Sequence, residues 1–439
     1  MNAPIRDFVA AYQAAHTARL HMPGHKGRGP LGCESMDITE IQGADALYEA
    51  AGVIAESEKN ASALFDTRKT CYSTEGSSQC IKAMLHLALL HHKGQGRPYA
   101  LAGRNAHKAF LHAAALLDAD VQWLYPEGDS DLCACPISPE GVQKALDDGP
   151  YPPFCVYVTS PDYLGGMLDI GAIADICRAR GVPLLVDNAH GAYLKFLEGG
   201  LHPMEAGADM CCDSAHKTLP VLTGGAYLHI SKSALQPYEA DAKDALSLFG
   251  STSPSYLILQ SLDLCNVALS QDWPERLKGL CRRIEEMKGR LTARGFHILP
   301  GEKTKLALKT QGPALCSRLA AHKIAWEFAD ERHVVLMFSP DNGEEDFARL
   351  DQALQSPLPP PAAQPPRLLP LQRAMTIRSS MLAPAESIPV SEALGRICAS
   401  PLVSCPPAVP IVISGEVLDA QAIAALQYYG AERVRVVKG

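Results

Sequence analysis

Two side chains that could take part in catalysis follow two neighbouring apolar runs in the middle of the chain. Asp187 comes directly after the run 184–186, and Lys217 comes a few residues after the run 210–212. If both runs are strands of one parallel sheet, the two side chains face the same crevice. A lone amine is costly to bury there unless it is neutralised or covalently used. The pair is therefore either a structural ion pair or a site for pyridoxal phosphate, in which the carboxylate keeps the ring nitrogen protonated and the lysine holds the aldehyde.

Hydrogen-bond donors suited to a phosphate occur at two other places. Gly76, Ser77 and Ser78 lead into a helical run at 80–92, where free N–H groups and the positive end of the helix dipole favour an anion. Serine is also an ordinary helix cap, so this signal is weak alone. Ser214 and His216 precede Lys217 and offer further donors. His107 follows another apolar run, where it could stack on a ring or simply cap a helix.

The elements that must position these residues alternate between strand and helix. Apolar runs at 99–102, 121–124, 155–159, 184–186, 210–212 and 226–230 predict strands, and the patterns at 107–117, 139–146 and 173–180 predict helices. This alternation predicts an α/β fold with a mostly parallel sheet flanked by helices.

A different pattern follows. Helical runs at 257–269 and 276–294 precede short strands near 296–299, 305–309 and 333–337, which predicts a smaller α+β lobe. Prolines crowd residues 356–370 and favour an extended linker. We expect an N-terminal segment (1–60), a large cofactor-binding domain (61–255), the small lobe (256–355), the linker (356–370) and a C-terminal domain (371–439) with a helix at 420–429.

Composition excludes several classes of function. The 439 residues are 47% hydrophobic and carry a formal net charge of -8, which disfavours a nucleic-acid or anionic-membrane binder. The N-terminus lacks an apolar signal core, and no uninterrupted apolar stretch approaches membrane-spanning length. The 14 cysteines include no CxxC pair, so we expect reduced core thiols in a cytoplasmic protein and no metal site.

Several motifs, in order along nearly the whole chain, resemble the ornithine/lysine/arginine decarboxylase family of pyridoxal-phosphate enzymes. They are His21–Gly27, Asp37–Glu40, Gly103–Lys108, Thr159–Pro161, Asp187–Ala192, Ser214–Pro220, Thr252–Leu257 and the tail segment from Pro406 and Pro407 through Pro410 to Glu416. The resemblance implies the aspartate-aminotransferase fold (fold type I) in a shorter form without an N-terminal wing domain.

The resemblance also implies a role for each matching residue. Lys217 would form the Schiff base, Asp187 would pair with the pyridine nitrogen, and Ala189 and His107 would contact the two ring faces. Ser77, Ser78, Ser214 and His216 would hold the phosphate, and Lys217 or His216 would return a proton. The remaining implied cofactor residues are His190, in the Asp187 motif, and Thr252, which would contact the phosphate of a neighbouring subunit in a homodimer.

Three positions depart from the family pattern. Asn188 stands where the family commonly has Glu, Glu75 adds a carboxylate to the phosphate loop, and Asp162 follows the Ser-Pro pair where the family has Thr. The Glu75 charge is unfavourable near a phosphate unless it points away. Asp162 either meets a cationic substrate or caps its turn.

The expected reaction is decarboxylation of arginine, lysine or ornithine, a step of polyamine biosynthesis. Asp162, Glu40 and Glu416 are candidates for the cationic tail of the substrate, and Arg378 for its carboxylate; each could equally be a solvated charge, an ion pair or a packing residue. Two alternatives stay open, because fold does not determine chemistry. One is an aminotransferase or carbon–sulfur lyase, and the other is an inactive regulatory paralogue of a decarboxylase.

Overall fold

The protein is described here by a computed structural model that covers residues 1–94, 96–128, 131–361, 364–367, 369–401 and 408–439. Part of the proline-rich linker (362, 363 and 368) and the tail-motif residues Pro406 and Pro407 lie outside these described residues. The chain divides into two units. Unit 1 comprises Met1–Gly94, Phe154–Val158 and Ile170–Glu275, and unit 2 comprises Gln95–Pro153, Thr159–Asp169 and Arg276–Gly439.

The strands are short, mostly four or five residues. They are β1 (Lys69–Ser73), β2 (Tyr99–Gly103), β3 (Asp120–Leu124), β4 (Cys155–Thr159), β5 (Leu184–Asp187), β6 (Met210–Asp213), β7 (Ala226–Ile230), β8 (His297–Ile298), β9 (Lys305–Lys309), β10 (Phe328–Ala329), β11 (His333–Met337), β12 (Ala385–Pro389) and β13 (Arg433–Val437).

The helices vary more in length. They are α1 (Pro4–Ala14), α2 (Val53–Phe65), α3 (Ser77–Leu90), α4 (Lys108–Leu116), α5 (Pro139–Asp147), α6 (Ile170–Ala179), α7 (Pro203–Ala206), α8 (Ala215–Thr218), α9 (Ala242–Ser247), α10 (Tyr256–Leu269), α11 (Trp273–Ala293), α12 (Gly312–Ala321), α13 (Glu344–Ala353), α14 (Ile377–Met381) and α15 (Ala420–Tyr428). None of the helices in the described residues is long and apolar enough to cross a membrane.

Unit 1 is built on a sheet whose strands are neighbours in the order β1-β7-β6-β5-β4. Strands β5 and β6 run parallel, with Leu185 opposite Met210, whereas β7 is antiparallel to both β6 and β1. Strands β5, β6 and β7 are buried at every position. Helix α3 packs against β6 and β7, and α2 packs against β1. A strand buried on both faces reads as a continuous apolar run, which is why these strands were predictable.

Unit 2 contains a parallel pair, β2 and β3, and two antiparallel sheets, β10-β11-β9-β8 and β12-β13. The predicted strands at 155–159 and 226–230 are confirmed residue for residue, and the α/β class is confirmed. The apolar stretch 409–413 is buried but lies outside the strands. It joins α15 and β13 in the core of the C-terminal segment.

The described cysteines are free thiols, and most are buried. Burial raises the pKa of Cys71 and of Cys135 to about 11. Because the thiolate is the reactive form, these side chains behave as small apolar residues. Cys405 lies outside the described residues.

Candidate active site

Lys217 lies on α8, the single helical turn that follows β6 in unit 1. Its Nζ is 3.1 Å from Nε2 of His190, which lies just beyond the end of β5. A charged amine can only donate, so His190 accepts this hydrogen bond on Nε2. The adjacent parallel strands thus bring the two side chains together, as expected for residues at the carboxyl ends of neighbouring strands.

Asp187 is the last residue of β5 and is 2% exposed. The Tyr157 hydroxyl donates to Oδ2 at 3.1 Å, and the Ala189 N–H donates to Oδ1 at 3.2 Å. Burial raises the pKa of Asp187, while the positive charge of Lys217 lowers it. A buried carboxylate in this position is stabilised by a cationic partner, such as a protonated ring nitrogen.

Two of the phosphate-binding candidates are in direct contact in unit 1. The Ser214 hydroxyl donates to Oγ of Ser77 at 2.8 Å, at the N-terminus of α3. Gly76 precedes this helix with φ +70, and a Cβ built on it meets nothing within 4 Å. The N-terminus of a fourteen-residue helix therefore opens onto unfilled space beside two serine hydroxyls. Glu75 is exposed.

His216 and Ala189 are two further predicted site residues in unit 1. The Nδ1–H of His216 donates to the carbonyl of Gly225 at 3.0 Å, because a carbonyl oxygen can only accept. Ala189 is buried directly after Asp187 and Asn188. An amine, a buried carboxylate and an open helix N-terminus with hydroxyl donors are the groups that pyridoxal phosphate requires, so the residues present fit this cofactor.

Comparison with known proteins decides the family. The family model described as "Orn/Lys/Arg decarboxylase, major domain" matches residues 3–340, and the model for the C-terminal domain of the same family matches residues 368–434. The chain belongs to the Orn/Lys/Arg decarboxylase family. A relative named arginine decarboxylase, from Bacillus subtilis (strain 168), is 27% identical over 96% of this chain and 92% of its own length.

Solved structures support the same fold for this decarboxylase. The constitutive lysine decarboxylase of E. coli aligns with a TM-score of 0.78 and 17% identity, covering 100% of this chain and 82% of that chain. A structure of SPT with PLP aligns with a TM-score of 0.56 and 14% identity, covering 71% of this chain and 79% of that chain. The decarboxylase therefore has the fold of type I pyridoxal-phosphate enzymes.

His107 and Thr252 are the remaining predicted cofactor residues of the decarboxylase. His107 caps α4, where its Nδ1 accepts a hydrogen bond from the Ala109 N–H at 3.1 Å. This is the capping role that the sequence left open, and ring stacking stays a prediction. Thr252 is exposed in unit 1, and its contact with a neighbouring subunit stays a prediction.

The four substrate candidates of the decarboxylase differ in their surroundings. Asp162 caps its own turn, since Oδ1 accepts from Leu164 N–H at 2.9 Å and Gly166 N–H at 2.8 Å. Arg378 donates to the carbonyls of Ala115 and Leu116, at the C-terminal end of α4.

The two glutamates complete this set of four. Glu416 is buried and accepts from the Ile413 N–H at 2.8 Å. Glu40, by contrast, is exposed. These structural contacts account for Asp162, Arg378 and Glu416 without a substrate.

Arg104 is a residue whose role sequence reasoning missed. It is 5% exposed, and its two terminal nitrogens donate to the carbonyls of Pro410 at 2.7 Å and Ile411 at 2.8 Å. The Lys108 N–H donates to Ala408 in the same stretch. The sequence shows the two family motifs involved, one around Gly103–Lys108 and one in the tail. It does not show that they contact each other, because the fold brings them together.

One buried group in unit 1 has the composition of a metal site. Nitrogen, sulfur and oxygen atoms of His202, Cys211 and Asp213 lie within 4.8 Å of one another. However, Nδ1 of His202 accepts a hydrogen bond from the Met204 N–H at 3.3 Å. The neutral ring must therefore carry its proton on Nε2, the nitrogen that faces Asp213, and cannot also offer that nitrogen to a metal. The group is a hydrogen-bonded network.

Proposed function

We propose that this decarboxylase uses pyridoxal phosphate to remove the α-carboxylate of a basic L-amino acid. The observation that supports it most is a buried Asp187 whose pKa is lowered by the positive charge of Lys217, together with Ser214, which hydrogen-bonds Ser77 at the N-terminus of α3. When bound, the cofactor supplies an electron-withdrawing ring that accepts the electron pair released as the Cα–carboxylate bond breaks and CO₂ leaves. The amine product forms when a proton is added to Cα.

The residues of the chain divide this work. Asp187, held by Tyr157, would supply a fixed negative charge for the ring nitrogen, and such preorganised charge contributes several kcal/mol in enzymes. Lys217 is the attachment point for the cofactor, with His190 orienting its amine. Lys217 and His216 are the candidates for returning the proton to Cα.

Arginine is the first substrate to test. Relatives named arginine decarboxylase match this chain over nearly its full length, at 25–27% identity. We propose Glu40 for the cationic end of the substrate, because its carboxylate is exposed while Asp162 and Glu416 are engaged by backbone N–H groups. The product amine would enter polyamine biosynthesis, and the free thiols of the chain support a cytoplasmic location.

We further propose that the enzyme acts as a homodimer in which the exposed Thr252 of one subunit contacts the phosphate bound by the other. Sedimentation of the loaded protein tests the subunit number. A Thr252→Ala variant should keep the dimer and need more cofactor for half-saturation. A monomer with full cofactor affinity would contradict this arrangement.

The deciding experiment offers arginine, lysine and ornithine to the loaded enzyme and identifies the products by mass. The proposal expects CO₂ and the matching amine, whereas an aminotransferase would give a keto acid. Lys217→Ala should abolish both turnover and the visible absorbance of the lysine-bound cofactor. Lys232→Ala is the matched control, because Lys232 pairs with Asp66 at the surface. Normal turnover by Lys217→Ala would refute the proposal.

A further inference from the structure

Asp213, the last residue of β6, is a fully buried carboxylate directly before Ser214. Its Oδ1 accepts a hydrogen bond from the side-chain amide of Asn188 at 2.6 Å. Its Oδ2 lies 3.0 Å from Nε2 of His202 and 3.1 Å from Nε2 of His229. Both histidines are fully buried as well. Three donors thus surround one carboxylate in the core of unit 1.

The tautomers of the two rings follow from different observations. Nδ1 of His202 accepts from the Met204 N–H, and Nδ1 of His229 lies 2.8 Å from the Thr70 hydroxyl. Nδ1 of His202 therefore carries no proton, and its Nε2–H donates to Asp213. Burial lowers the pKa of His229, so its neutral ring keeps its one proton on Nε2, which faces the carboxylate, and accepts from the Thr70 hydroxyl on Nδ1. Burial alone would raise the pKa of Asp213, but His202 and His229 hold it well below its ordinary value. Asp213 therefore accepts these hydrogen bonds as an ionised carboxylate.

Asn188 connects this charge to the cofactor crevice. Its backbone N–H donates to the carbonyl of Cys212 at 3.0 Å, and its side chain donates to Asp213. Its Oδ1 is buried without a hydrogen-bond partner among the described residues. A Cβ on Gly191 would come within 2.0 Å of this oxygen, so the absence of a side chain there leaves room for the amide.

We propose that Asn188 and Asp213 form a positioning pair that fixes the Asp187 turn against the turn carrying Ser214 and Lys217. The pair tolerates one carboxylate only, and this chain has it at 213, with an amide at 188. The proposal rests on the proposed function, because it assigns the pair to the alignment of cofactor-binding groups. Asn188 and Asp213 act through Asp187 and Ser214 and need not touch the cofactor.

Exchanging the two side chains tests the pair. Asn188→Asp sets two carboxylates about as close as the present 2.6 Å contact, where both cannot remain ionised. Asp213→Asn is milder, because Asn188 can turn its unpartnered Oδ1 toward the new amide. In the double variant, the new amide at position 213 would turn its oxygen to the two histidines and donate to the new carboxylate at position 188. The double exchange should therefore rescue Asn188→Asp.

Other ionisable groups near the network must be considered in any pH titration. They are His202 and His229 beside Asp213, Lys195 near His229, and Asp187, Cys80, Cys211, Cys212 and Tyr227 around the two strands. The wild type, the two single variants and the double variant share these groups, so each variant is compared with the wild type at the same pH.

The measurement is the pyridoxal phosphate concentration that half-saturates the visible absorbance of the lysine-bound cofactor, from mildly alkaline to mildly acidic pH. We expect Asn188→Asp to raise it at least about tenfold at neutral pH, with recovery as falling pH lets the two carboxylates share a proton. Asp213→Asn and the double variant should stay within about threefold of wild type.

Thermal unfolding of the four cofactor-free proteins separates folding from positioning. If Asn188→Asp does not fold, the double variant must fold to support the pair. The proposal would be overturned if the two substitutions had additive effects on cofactor binding. It would also be overturned if the two substitutions were coupled in thermal unfolding but not in cofactor binding. Turnover is measured separately: intact coupling without decarboxylation would refute the proposed function and leave the pair standing.

Discussion

The imidazole of His190 accepts a hydrogen bond from the amine of Lys217, with the two nitrogens 3.1 Å apart. His190 follows β5 and Lys217 follows β6, so the contact depends on the parallel pairing of these strands. The imidazole restricts the directions that the amine can take. His190 is therefore a positioning group for Lys217 in addition to its place in the family motif.

Replacing His190 should separate catalysis from binding. His190→Ala removes the acceptor, and we expect kcat to fall about 10- to 100-fold with little change in KM, because the amine is needed during the reaction more than for substrate binding. His190→Gln retains an acceptor oxygen and should recover part of the loss. Steady-state kinetics of both variants test this, and an unchanged kcat in His190→Ala would contradict it.

Arg104 should be worth more to stability than an exposed arginine. Arg104→Ala leaves the carbonyls of Pro410 and Ile411 without their donor and removes the cation that lowers the pKa of the buried Glu416. We expect the free energy of unfolding to drop by about 3 kcal/mol. Arg97→Ala is the control, since Arg97 pairs at the surface with Asp118 and should cost less than about 1 kcal/mol. Equal losses in chemical denaturation would count against this view.

Gly76 should be required for its backbone conformation. Its φ of +70 with ψ 179 is open to glycine and strained for other residues, although a Cβ would meet no neighbour. Gly76→Ala should therefore destabilise the protein by about 1–3 kcal/mol and weaken pyridoxal phosphate binding by shifting the start of α3. Gly181→Ala is matched, with φ +64 and open space, and should affect stability alone. Equal cofactor affinity in the two variants would argue against this role.

Asp162 should make stability depend on pH in a defined window. Burial raises its pKa to about 6 from an ordinary value of 3.8. The folded protein binds this proton more tightly than the unfolded chain, so the contribution is full below the unfolded pKa and is lost as pH rises through the folded one. Asp162→Asn should be insensitive to this change and still cap the turn through its side-chain oxygen.

The free energy of unfolding of Asp162→Asn minus that of wild type should therefore increase by up to about 3 kcal/mol between about pH 4 and 6 and stay constant above. Asp263→Asn provides a comparison, since burial also raises the pKa of Asp263 to about 6. A difference that shrinks with rising pH would show that the sign is wrong.

The strands that carry the site were predictable because burial on both faces leaves continuous apolar runs such as 155–159 and 226–230. Strand β1 was not predictable, because Thr70 and Ser73 interrupt its apolar pattern. The structure shows that both are buried, with hydrogen bonds to His229 and Gln79. The positions of Asp187 and Lys217 followed from a rule about strand ends. The hydrogen-bond network of Asp213 could not be predicted in this way, because its members come from separate elements.

The Arg104 contact has a consequence for the protein during its synthesis. Arg104 leaves the ribosome long before Pro410 and Ile411, its hydrogen-bond acceptors 306 and 307 residues further along. Unit 2 takes segments from both sides of unit 1 in the sequence, so it cannot complete its core until translation nears the end. Until then, the Arg104 guanidinium, which is buried in the folded protein, lacks the carbonyls of Pro410 and Ile411. Chains truncated before the tail would expose this defect to cellular quality control.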